Sequence, residues 1–393
     1  EARLGQGAFL ALRLVDLLAP DHEPVSADAF RYQWLATDRF CGELGNAATE
    51  GAHLHAIAKR AADAQRLADV ALVTPALFAY ATFLEDGLRL EEAVDVLTTL
   101  FVVVATRLSV KDGVVARLRY ARVHRKLNRY DEAEAAYSEA GELATAAGDR
   151  YSALLSRIGL ANALVGRGNL PAAERRLQGI LLDARAAGER DAEARAEHGV
   201  AVVLCMVGQS AEAIPHAWRA FELYEEEDSR LRALCDVGVM LLALGDAVGA
   251  ERALLEITRR RPSTETLSNA LLELMHCASY RRDHVGFARW RERTEALEAD
   301  MPPNIRADFY LKQGIGQARF GNFRRAATLL KQALEIAAAA GLHEFEFRID
   351  RILQGLGACE QRCEREAQHP VASVVVETTE LREVSASLAQ LTE

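Results

Sequence analysis

Thiols, imidazoles and guanidinium groups are the residues here with chemistry to offer, and their spacing excludes most of it. The six cysteines stand at 41, 205, 235, 277, 359 and 363, and none belongs to a CxxC pair. Cys359 and Cys363 are spaced i,i+4 and would share a helix face, but no histidine or second cysteine pair completes a metal set. Within helical apolar patterns a cysteine behaves as a small hydrophobe. Free thiols fit a reducing, cytoplasmic setting. His53 and His55 sit two residues apart, so on a helix their rings diverge by about 200° and cannot share a metal. They read as ordinary surface histidines. "LGQGAF" at residues 4–9 imitates a phosphate-cradling loop, but no strand precedes it and it reads as a helix start. GxSxG, GxxxxGKS, GxxxxGKT and HExxH are all absent. No catalytic residue, cofactor or metal is therefore expected, and the chain reads as a non-enzyme. Non-covalent recognition is the remaining chemistry. The densest basic run, "RYARVHRK" at 119–126, reads as a solvated helix face. "YEEEDSR" at 224–230 reads as a helix end and turn.

Composition narrows the partner. The 393 residues are 50% hydrophobic but only 6% aromatic, which suits helices packed through small side chains. A net charge of −10 argues against direct nucleic-acid binding, which favours a basic surface. No apolar run reaches the ~20 residues that a membrane helix needs. Nothing here excludes self-association into a homo-oligomer. The chain starts at Glu1 rather than Met, so an upstream segment is expected.

The elements that position any binding residue repeat. An inward residue follows each turn at Ala93, Ala133, Ala173, Ala213, Ala250, Phe287 and Ala326, at intervals of 40, 40, 40, 37, 37 and 39 residues. Four residues later comes Leu97, Tyr137, Leu177, Ala217, Leu254, Arg291 or Leu330. Twelve residues earlier stands Ala81, Ala121, Ala161, Ala201, Gly238, Met275 or Gly314. Arg291 and Met275 break the pattern, so the sixth unit is the weakest. Each unit reads as a helix, a short turn with Gly or Asn, and a second helix closed by "AAGD", "AAGE" or "AAAAGL". Such a glycine takes the left-handed conformation that ends a helix. Two antiparallel helices cannot bury both apolar faces alone, so the units must stack.

This phased pattern is similar to the tetratricopeptide repeat, in the longer ~40-residue form of bacterial regulators and signalling scaffolds. The resemblance covers residues 74–341 and implies an all-α, right-handed superhelical solenoid whose first helices line a concave groove. Residues 1–73 are expected to form a divergent helical repeat or cap, in which Ser26 is the N-cap of a divergent unit over 27–69. Residues 342–369 should form a capping helix, with Gly355 in the small-residue phase. The tail, 370–393, reads as an extended run and a short amphipathic helix.

On that geometry, side chains two or three residues before each small residue, or one after it, face the groove. The phase selects Arg119, Arg122, Asn162, Arg195, His198, Arg232, Asp236, Asn269, Glu273 and His276 as candidate peptide-binding residues. Phe78, Thr82, Leu118, Ile158, Cys235, Asp308, Leu311 and Lys312 share it. Asn hydrogen-bonds a peptide backbone in both directions, and Arg forks onto a carboxylate. Chaperone-adaptor members grip a C-terminal carboxylate with a Lys/Asn clamp. The corresponding positions here, Leu118, Arg122, Gly159, Arg195 and Gly199, lack both asparagines, so that partner class is not expected. The expected function is a non-enzymatic scaffold or sensor that binds a protein or peptide in its groove, as the regulatory part of a larger bacterial signalling or transcription protein. The competing expectation is an assembly subunit that uses its convex face or tail.

Overall fold

The computed structural model describes residues 2–20, 25–46, 48–104, 107–260, 262–366 and 379–391. Side chains at 300, 344, 359, 361–366, 379–382, 385 and 389 are excluded from it. The described residues are helical, with no strand among them. The chain divides into two compact units, 1–163 and 164–393.

Unit 1 holds α1 (Ala2–Asp16), α2 (Ala27–Gly45), α3 (Thr49–Leu67), α4 (Thr74–Asp86), α5 (Leu90–Val104), α6 (Val110–Lys126), α7 (Tyr130–Ala146) and most of α8 (Arg150–Gly166). Ser26 caps α2 by accepting a 3.2 Å bond from the Ala29 amide. In α1, Gly7 lies where a Cβ would meet Leu44 Cδ1 of α2 at 2.7 Å, so α1 sits flush on the α2–α3 pair. The core of this unit runs from Ala11 and Leu14 through Leu54, Leu77 and Leu100.

Unit 2 holds α9 (Leu170–Ala187), α10 (Arg190–Met206), α11 (Ser210–Leu223), α12 (Glu227–Ala243), α13 (Ala247–Arg259), α14 (Thr264–Tyr280), α15 (His284–Glu295), α16 (Pro303–Arg319), α17 (Phe323–Ala339), α18 (His343–Glu366) and α19 (Thr379–Leu391). The leading helices α10, α12, α14, α16 and α18 pack in sequence, each against the next, and α11, α13, α15 and α17 each pack beside the leading helix before them. α19 lies on α11 and α13, and the extended run expected before it falls outside the described residues.

The turns show why the period is what it is. Left-handed residues close the hairpins at Leu88, Asn128, Gly168, Gly208, Gly245, Arg282 and Gly321, repeating the 40-40-40-37-37-39 intervals. A second series, Ala68, Gly148, Gly188 and Gly341, ends trailing helices. Leu88 (φ 60°) and Arg282 (φ 57°) occupy a region that disfavours a Cβ by roughly 1–2 kcal/mol. Arg282→Gly is therefore expected to stabilise unit 2 by about 0.5–1 kcal/mol, after its greater unfolded-state entropy is deducted. An unchanged or lower urea midpoint would contradict this.

The small-residue phase has a defined recipient. A Cβ on Gly238 would lie 2.9 Å from Leu254 Cγ, and one on Gly314 would lie 2.8 Å from Leu330 Cγ. The phased glycine of the leading helix thus receives the phased leucine of its own trailing helix. Ala81, Ala121, Ala161 and Ala201 are buried at the same phase. The sixth hairpin keeps its core by a one-residue shift: Trp290 is buried beside Arg291, which turns to Glu295 at 3.3 Å, while Met275 is fully buried. Gly355 departs from the expected role, because a Cβ there would meet nothing within 4 Å. Among the described residues no trailing helix follows α18 with a leucine that would need that space.

Candidate functional site

In unit 1, α4 and α6 bring polar side chains together on the leading-helix face. Arg122 Nη2 donates to Glu85 Oε2 at 2.6 Å, and Lys126 Nζ lies 3.6 Å from Glu85 Oε1. Burial alone would raise the Glu85 carboxyl, but Arg122 and Lys126 outweigh it and hold that group below its ordinary range. Arg119 donates to Thr82 Oγ1 and lies 5.9 Å from the Phe78 ring centre. Burial, then repulsion from Arg122, pulls its pKa down. Arg119 makes no carboxylate pair among the described residues, so most of its five N–H donors remain unused. The Asn162 side chain, half-buried on α8, has no hydrogen bond among the described residues.

In unit 2, four of the phase-selected residues gather around Tyr224, just past α11. His198 Nε2 is 2.6 Å from Asp236 Oδ2, and its Nδ1 is 3.3 Å from the Tyr224 hydroxyl. Arg195 donates to Asp191 at 2.6 Å and lies 5.9 Å from the Tyr224 ring centre. Arg232 donates to Ser229 Oγ at 2.9 Å. Burial pushes the Tyr224 hydroxyl up to about 12, while the charges of Arg195 and Arg232 oppose the rise. The sequence phase missed Tyr224, because it lies beyond a trailing helix.

A second group links α14 to α16. Lys312 Nζ donates to Glu273 and, at 2.5 Å, to Asp308 Oδ2. Burial alone would lower the Lys312 pKa, but Asp308 and Glu273 hold it above its ordinary value. Burial leaves the Glu273 carboxyl raised despite that lysine. Arg319 Nη1 donates to Ser279 Oγ at 2.7 Å, approaches His276 Nδ1 at 3.5 Å and stacks 3.6 Å from the Tyr280 ring centre. Burial, reinforced by Lys312, Arg319 and Arg348, pushes His276 well below its ordinary value. The Asn269 side chain on α14 is half-buried and has no hydrogen bond among the described residues.

His276 carries a pH prediction. Its folded pKa is depressed, so the folded chain holds it neutral while the unfolded chain takes up a proton below about pH 6.5. Its contribution to stability is complete above that pH and is lost as pH falls. The loss approaches ~1.4 kcal/mol per unit for this one group. His276→Gln should flatten the fall of unit 2 stability between pH 7 and pH 5. An unaltered pH profile would contradict the assignment.

Several expectations need correction. Ile158, Cys235, Leu311, Lys312 and the candidate Glu273 share the selected phase but are buried. A leading helix is packed on both sides by other leading helices, which leaves a narrower open stripe than the phase alone suggests. His53 and His55 are not simple surface residues: His55 Nε2 is 3.1 Å from Asp38 Oδ1, and the His53 ring lies tilted with its centre 5.0 Å from that of Phe83. The basic run 119–126 is not wholly solvated, since Arg122 and Lys126 bracket the buried Glu85. Burial and the neighbouring Asp38 charge raise the Cys41 thiol to about 11, and burial also raises Cys205, Cys235 and Cys277. These thiols are poor nucleophiles. The Cys359 and Cys363 side chains lie outside the described residues. Among the described residues no cluster of His, Cys, Asp and Glu could hold a metal, and no helix is long and apolar enough to cross a membrane.

One signal for the missed partners was present. Thr82–Arg119, Glu85–Arg122, His198–Asp236, Glu273–Lys312 and Ser279–Arg319 are separated by 37, 37, 38, 39 and 40 residues. Each links adjacent leading helices one repeat apart.

No family model matches the chain, and no curated protein matches it. Solved structures do. The Rap conjugation gene regulator of the plasmid pLS20, in complex with the Phr peptide, is 11% identical with a TM-score of 0.54, over 84% of this chain and 97% of that one. The apo form of the quorum sensor NprR from B. thuringiensis is 12% identical with a TM-score of 0.51, over 92% and 97%. At that identity the likeness concerns the fold. With its phased hairpins, left-handed turns and stacked leading helices, the chain has an all-α, tetratricopeptide-like repeat fold.

Proposed function

We propose that the chain is a non-enzymatic peptide-binding sensor or scaffold of bacterial regulation, and that the leading-helix faces receive the ligand. The observation that carries this is the set of half-buried polar groups with unused hydrogen-bonding capacity: Arg119 and Asn162 in unit 1, and Asn269 in unit 2. A partly desolvated amide without a partner is unfavourable unless water or a ligand satisfies it. An asparagine on such a face can bond both the N–H and the C=O of an extended peptide. A regulator with a bound peptide and a quorum sensor share the fold, which supports the same reading.

The competing role is an assembly subunit acting through its convex face or tail, and the contacts of α19 weigh against the tail. α19 already lays its buried Val384 and Leu388 toward α11 and α13 within the same chain.

Panning a displayed random heptapeptide library against the chain tests the proposal. The expected result is a consensus peptide whose affinity falls at least tenfold, about 1.4 kcal/mol, in the Arg119→Gln/Asn162→Ala or the Asn269→Ala chain. No enrichment, or a consensus indifferent to both variants, would contradict it.

A further inference from the structure

Among the described residues α19 belongs to no hairpin. It has 13 residues, Thr379–Leu391, and lies across α11 and α13. Val384 and Leu388, spaced i,i+4, are its buried side chains among those described. A helix this short is marginal in water by itself, so its contact with α11 and α13 is what keeps it folded. It is therefore the element of unit 2 most readily released.

Its position is specific. α11 and α13 are the trailing helices of adjacent hairpins, α10–α11 and α12–α13. The leading helices of those same two hairpins are tied by His198 and Asp236 at 2.6 Å. The angle between the hairpins is thus fixed twice, by a polar tie between leading helices and by an apolar helix across trailing ones. Packed helices move as rigid bodies, so a rotation that parts one contact must also alter the other.

We propose that α19 is a releasable clamp whose docking on α11 and α13 is energetically coupled to the His198–Asp236 tie. Anything that withdraws His198 or Asp236 from the tie loosens α19. Release of α19 loosens the tie by the same factor, because coupling between two sites is reciprocal. This coupling belongs to the free chain and stands whether or not the leading-helix face takes a peptide. Where it does, α19 becomes the segment that reports occupancy.

Amide hydrogen exchange on the full chain tests this without a ligand. Asp236→Asn should raise exchange in 379–391 at least fivefold, about the lower end of allosteric coupling. Val384→Asp/Leu388→Asp should raise exchange around His198 and Asp236 on α10 and α12, not only on α11 and α13. Ser279→Ala, which removes a contact between α14 and α16, should leave 379–391 unchanged. Three results would each overturn the proposal: no protection of 379–391 in the parent chain, an effect of Val384→Asp/Leu388→Asp confined to α11 and α13, or an equal response to Ser279→Ala, which would indicate general loosening.

Discussion

Lys312→Met is expected to destabilise unit 2 by ~3–5 kcal/mol, the range for removing one partner from a buried ion pair. Lys312 and Glu273 are 7% and 6% exposed, and the same ammonium serves Asp308. Asp308 Oδ1 is itself buried without a hydrogen-bond partner. Removing the lysine strands two carboxylates in a poorly solvated place, and they relieve the penalty only by taking up protons. The deficit should therefore shrink as pH is lowered from 8 to 5, the reverse of the trend that His276 contributes in the parent chain. Lys312→Met/Glu273→Leu should recover part of the loss, because an apolar pair removes the desolvation penalty along with the attraction. Exchange rates across α14 and α16 provide the measurement. A loss below about 1 kcal/mol would mean that water reaches the pair and that it acts as a surface bridge.

The repeat was legible because its two strongest constraints leave residues that announce themselves. Left-handed turns favour glycine, and Gly168, Gly208, Gly245 and Gly321 stand where the chain requires that conformation. Close packing against Leu254 and Leu330 requires Gly238 and Gly314. Leu88 and Arg282 adopt the same left-handed turn with side chains that give no such notice.

The site was less legible, for a different reason. Helical phase identifies a stripe, but the stripe's width depends on how closely the neighbouring leading helices approach. Ile158, Cys235 and Leu311 fell inside the packing, whereas Arg119, Asn162 and Asn269 stayed half-open. Partnerships such as Glu85–Arg122 lie one repeat apart, beyond the reach of a single-helix pattern. The apolar spacing of Val384 and Leu388 announces an amphipathic helix, but it carries no record of the two helices it covers.

Gly314→Leu is the second large effect expected, a loss of about 3 kcal/mol, the upper end of the usual range for overpacking. Its Cβ would lie 2.8 Å from Leu330 Cγ and 3.2 Å from the Ala326 carbonyl oxygen, and a backbone oxygen cannot swing away. α16 and α17 would have to separate, exposing Leu311, Leu330 and Ala333 of the core they share with α18. Gly355→Ala is the matched control: open space surrounds that position, and the better helix former should be neutral or stabilising by up to ~1 kcal/mol. If both substitutions were tolerated equally in urea unfolding, small size at this phase would not be what lets the hairpins close.

Hydrogen exchange with a selected heptapeptide bound tests the central claim most directly, that the leading-helix faces are the recognition surface. Protection should concentrate on α6 and α8 around Arg119 and Asn162, or on α14 around Asn269, and leave the outward faces of α7, α9 and α15 unchanged. Protection confined to those trailing helices, or spread evenly over the chain, would contradict the claim.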